Sequence, residues 1–183
     1  MTRQHRFRPE DLTDDQRHLY EAITTGPRST GPQLFALTEG DGVLRGPFNA
    51  FLHSVALGDA LQRLGAAVRY RSGLSDRVRE MTILVVAAHW DCAFEREAHE
   101  AVGAAAGVTE EEVRAIRERR TPSLADPREI ASIAVATAMV AGDVGDEVWD
   151  QCLPALDQAT VFELSTVVGY YAALALQMRV FRV

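Results

Sequence analysis

The stretch Arg79-Glu80-Met81-Thr82-Ile83-Leu84-Val85-Val86-Ala87-Ala88-His89-Trp90-Asp91-Cys92-Ala93-Phe94-Glu95-Arg96-Glu97-Ala98-His99 collects most of the side chains able to do chemistry. Cys92, Glu95 and His99 stand at i, i+3 and i+7, one stripe of a helix, so a thiol, a carboxylate and an imidazole face the same way. The run Met81 to Ala88 before them is apolar on every side, so its helix is expected to be buried on more than one face and the stripe to point inward. Charged groups are seldom buried without a partner, which invites a functional reading of Glu95 and His99, with Glu80 close by in the chain. Each residue also has a plain packing role: Cys92 as a small core residue, His99 as a hydrogen-bonded structural histidine, Glu80 as the partner of a neighbouring arginine.

The charge environment of Cys92 pulls two ways. If Asp91 caps a helix starting at Cys92, the free N–H groups and dipole of its first turn favour a thiolate. An ionised Glu95 opposes that, and a protonated His99 favours it again. As a proton-transfer group His99 is expected to titrate near neutrality. His89, Cys92, Glu95 and His99 also have metal-ligand chemistry, but their spacing matches no HExxH, paired CxxC or di-iron E-x-x-H signature. Helical phase turns His89 away from Cys92 by about 60°. No metal and no cofactor are expected, and phosphate-binding glycine loops and Ser-His-Asp signatures are absent from the sequence.

The elements that must position these residues are helices. A helical pattern spans Leu12 to Ile23, and the segment 26–49, with Gly26-Pro27, Gly31-Pro32 and Gly46-Pro47, reads as a long connection or wrapped arm. Leu57, Ala60, Leu61, Leu64 and Val68 then repeat at helical spacing, with Gly73 as the stop. A second helix starts near Ser75, and a third runs from Cys92 to about Ala106 before Gly107. Thr109 and Glu112 form a T-x-x-E capping box, with Val108 and Val113 at the positions of a hydrophobic staple. Another helix runs from about Pro127 to Val140, with Ile130, Ile133, Ala134 and Thr137 on one face, and a shorter one lies near Glu147. Cys152 is placed near the start of a separate helix. The last helix is expected to open on a second T-x-x-E box, Thr160 and Glu163, and carries Val161, Leu164, Val168, Tyr171, Leu174 and Met178. No segment alternates with period 2 between hairpin turns, so the fold class is all-α, an antiparallel helical bundle.

The whole chain, 183 residues, is long enough for one domain with a real core, and 1–183 is expected to be a single domain with 1–50 as N-terminal helix and extended arm. A net charge of −7 argues against a nucleic-acid or anionic-membrane surface. The two cysteines, Cys92 and Cys152, are too few for a secreted disulfide scaffold. Residues 1–20 are charged throughout, unlike a signal peptide, and a cytoplasmic location is expected.

The pattern E-x(11)-C-x-x-E-x(3)-H, preceded by Gly46-Pro47-Phe48-Asn49-Ala50-Phe51-Leu52-His53, resembles the carboxymuconolactone decarboxylase and alkylhydroperoxidase-D-like superfamily from about Leu44 to Arg179. In the peroxidase branch the motif is C-x-x-C with an upstream glutamate and a downstream histidine that relay protons. By position, Glu80, Cys92 and His99 match the glutamate, first cysteine and histidine, and Glu95 takes the place of the second cysteine. The resemblance implies a homo-oligomer, a trimer or hexamer, acting on a small-molecule substrate. Two activities are implied: proton-transfer chemistry of the lyase type on a carboxylated or lactone-like substrate, or a single-cysteine peroxidase using Cys92. A catalytically silent ligand-binding oligomer is the third reading. In the first, His99 is the general acid/base, Glu80 its orienting carboxylate, Glu95 a second proton carrier or substrate contact, and Cys92 a pocket residue.

Overall fold

A capping box that the hydrophobic pattern alone did not reveal starts the first long helix: Thr13 Oγ1 accepts the Gln16 N–H and the Gln16 side chain accepts the Thr13 N–H. It opens α1 (Asp14–Thr24) in a computed structural model that describes residues 2–26, 29 and 34–183. Among the described residues eight further α-helices follow: α2 (Pro47–Phe51), α3 (Val55–Arg71), α4 (Asp76–Trp90), α5 (Ala93–Ala105), α6 (Glu110–Arg117), α7 (Pro127–Ala141), α8 (Asp146–Cys152) and α9 (Gln158–Phe181). Among the described residues there is no strand, only an isolated bridge between Thr38 and Leu44, and the all-α class holds. Pro27, Gly31 and Pro32 of the expected arm lie outside the described residues.

The chain divides into two units, the described residues up to Arg71 with Leu176–Val183, and Ser72–Ala175. In the first, α3 packs with α1 and α2. Gly46 precedes α2 at φ 56°, ψ −130°, a conformation that suits glycine, and Pro47 then supplies a pre-set first turn. Asn49 ties the N-terminal segment down, accepting the Phe7 N–H and donating to the His5 carbonyl. The buried side of α3 differs from expectation. Gly58, Gln62, Gly65 and Val68 are buried, whereas Leu57 is 67% exposed and Leu64 39%. The close approach of α2 explains this, because only glycine fits at position 58 against the Phe51 carbonyl. The helix ends at Arg71, two residues before the expected glycine stop.

In the second unit α4 packs against α5, α6 and α7, and every residue from Val78 to Ala87 is buried, as its all-round apolar sequence requires. Met81, Leu84, Val85, Val108, Ile116 and Ile133 form one core cluster, with Val113 packed against it. The Thr109–Glu112 capping box forms as expected. Glu112 has a second duty: Arg77 bridges it to Glu129 at 2.9 and 2.8 Å and donates to the Gly107 carbonyl, tying α4, α6 and α7 together.

Three local expectations need correction. Thr160 and Glu163 do not form a capping box. The helix starts two residues earlier, Asp157 takes the Thr160 N–H, and Glu163 accepts the N–H of distant Gly73. On α7 the buried positions are Ala131, Ser132, Ile133, Val135 and Ala136, with Ile130 46% exposed, because packing on α4 selects a face about one residue round from the apolar stripe. Cys152 ends α8 and also precedes a single 3-10 turn, Leu153–Ala155, so it lies at the end of one helix and not within the start of another α-helix. Helix α9 is long and apolar enough to cross a membrane by length and composition, and it buries Leu164, Val167, Val168, Tyr171 and Leu174.

Candidate functional site

Ser75 caps α4 by accepting the Val78 N–H, which fixes where the helix begins and turns Glu80 inward. At its other end α4 stops on Asp91, a left-handed residue (φ 51°, ψ 47°) whose N–H bonds the Ala87 carbonyl. Asp91 is therefore the C-cap of α4 and not the N-cap of the next helix, as the sequence suggests. Cys92 holds the N-cap position of α5, one residue before the helix proper. Glu95 and His99 lie on α5 one turn apart, on the side facing α4.

The structure brings all four expected residues into one buried unit. Glu80 is 1% exposed, Glu95 3%, His99 4% and Cys92 8%, values at which an ionisable group needs partners. His99 Nδ1 lies 2.6 Å from Glu80 Oε2, and its Nε2 lies 3.3 Å from Glu95 Oε2. The imidazole is thus held between two carboxylates from two helices. The Tyr171 ring meets the imidazole edge-to-face at 5.1 Å. Burial by itself lowers the His99 pKa. The hydrogen bond and charge of Glu80, joined by those of Glu95, overcome this and push it up to about 9. Against the expectation of titration near neutrality, the two carboxylates shift His99 toward its protonated form.

Sequence reasoning offered Glu80 a neighbouring arginine only as its packing role, and Arg79 is that arginine and belongs to the site. Its Nε donates to Glu80 Oε1 at 3.2 Å and its Nη2 pairs with Asp76 at 2.8 Å. The row Asp76, Arg79, Glu80, His99, Glu95 alternates in sign from the exposed Asp76 to the interior. The signal was present, since Arg79 precedes Glu80 in sequence, and the plain role of Glu80 as an arginine partner is fulfilled together with its contact to His99. Tyr171 had no signal beyond helical spacing.

Cys92 is a poor thiolate here. Burial pushes its thiol up, and the charge of Glu95 adds to this against the N–H groups of Glu95 and Phe94. His89 is exposed, and helical phase sets it about 180° round α4 from Glu80, so it does not join the unit. Among the described residues no group of three or more His, Cys, Asp or Glu side chains is arranged to hold a metal ion. What the arrangement can do is hold a proton on His99, aligned by Glu80, and present it beside Glu95.

No curated protein matches the chain. The segment 56–138, which carries Glu80, Cys92, Glu95 and His99, matches the model of the Carboxymuconolactone decarboxylase family.

Proposed function

We propose that the chain is an enzyme of proton transfer, acting on a small carboxylated or lactone-like substrate with loss of CO₂. The observation that carries this reading is the 2.6 Å bond between His99 and Glu80 inside a buried array whose carboxylates favour the protonated imidazole. In the proposed step the bond from the substrate carbon to its carboxylate breaks and CO₂ leaves. The electron pair stays on that carbon, delocalised into the adjacent carbonyl, and the His99 imidazolium delivers a proton to it. The neutral imidazole then regains a proton from solvent. Glu80 orients the ring and stabilises its charge, and Glu95 contacts the substrate or carries a second proton. A single-cysteine peroxidase would need a thiolate at Cys92, and burial of that thiol supports the lyase reading instead.

The test is CO₂ release from a carboxylated lactone, run beside sulfenate trapping at Cys92. His99→Gln should lose a factor of about 10²–10⁴ in turnover, the usual worth of general acid–base assistance, while Cys92→Ser keeps substantial activity. Sulfenate formation with a dead Cys92→Ser would reverse the assignment. Failure of both assays with tight small-ligand binding would leave the silent binding protein.

Self-association belongs to the same proposal. The exposed Leu57 and Leu64 on α3 and Phe162, 71% exposed on α9, are apolar surfaces that a second copy would cover. Light scattering at micromolar concentration should give a trimer or larger, and a monomer would refute it.

A further inference from the structure

Glu95 uses only half of its carboxylate. Oε2 faces His99 Nε2 at 3.3 Å, whereas Oε1, buried on a side chain 4% exposed, meets no hydrogen-bond donor among the described residues. A buried carboxylate oxygen without a donor is costly, and at a catalytic site such an atom is a place for a donor from outside the chain. The surroundings define what that partner is. Arg79 and His99 already face Glu80 and Glu95, two charges of each sign, so no surplus positive charge draws an anion to Oε1. The missing group has to donate a hydrogen bond. It must also stand beside His99, because the two oxygens of one carboxylate share a carbon and Oε2 is already at Nε2.

We infer that Glu95 Oε1 is the acceptor for a hydroxyl of the ligand, so that the site selects small hydroxylated lactones over their unhydroxylated parents. This rests on the proton-transfer reading for the lactone class and gives Glu95 a specificity role that the dithiol pattern has no counterpart for. With its hydroxyl on Oε1, the ligand's adjoining carbon lies next to the proton on Nε2.

The probes are α-hydroxy-γ-butyrolactone and γ-butyrolactone, titrated into the full-length protein while the His99 ring resonances are followed by NMR. The hydroxylated probe should bind about tenfold or more tightly than its parent, the usual worth of a hydrogen bond to a charged group. Glu95→Met, close in size and lacking an acceptor, should remove that preference, so that the two lactones bind it alike. Should Glu95→Met fail to fold, Glu95→Gln serves, and its preference should shrink. Equal binding of the two lactones by wild type, binding of neither, or a preference that survives in the variants would overturn the inference, with water then the only partner of Oε1. Turnover is not the readout: a preference without CO₂ release sinks the catalytic reading alone, and CO₂ release without a preference sinks this one alone.

Discussion

Raising the pH should strip stability from this protein through His99. The ring is buried at 5% side-chain exposure, with its pKa pushed from 6.5 up to about 9 by Glu80 and Glu95. A group whose folded pKa lies above its unfolded value binds its proton more tightly in the folded state. Its contribution is therefore complete below pH 6.5 and disappears as pH rises through about 9. At ~1.4 kcal/mol per pKa unit the gap corresponds to a contribution on the order of 3 kcal/mol. Other groups titrate in the same window, so the measurement is a difference: urea unfolding of wild type and His99→Gln at intervals from pH 5 to 10. The advantage of wild type should be largest at pH 5–6 and shrink by about 3 kcal/mol by pH 10. A difference that stays flat with pH, or grows, would show that His99 is not a buried imidazolium, and the proton donor of the proposed reaction would be lost with it.

Other substitutions test the scaffold around the site. Arg77→Ala leaves the carboxylates of Glu112 and Glu129, 12% and 14% exposed, without their shared cation, and should cost about 1–3 kcal/mol in urea unfolding with the Thr109–Glu112 cap still formed. Gly58→Ala would put a Cβ 2.3 Å from the Phe51 carbonyl oxygen and 2.7 Å from the Phe51 Cβ, so α2 and α3 must separate. A loss of about 1–3 kcal/mol is expected from thermal unfolding, and a neutral result would contradict the close packing.

The helices were legible in the sequence because their causes are local. The Thr109–Glu112 box closes within one turn, and a wholly apolar run such as Met81–Ala88 can only be buried. The helical period alone set Cys92, Glu95 and His99 in one stripe, and the spacing to Glu80 carried the family resemblance. Helix faces were less legible: α3 turns its leucines outward because Gly58 lets α2 approach, a fact about two helices and not one. Glu163 reads as a capping residue until the fold brings Gly73 to it, since any donor in reach can claim a carboxylate. The same holds at the site. Only tertiary structure joined Glu80 to His99 across α4 and α5, added Arg79 and Tyr171, and raised the pKa of His99. A charge state depends on desolvation and on neighbours in space, and chain spacing fixes neither.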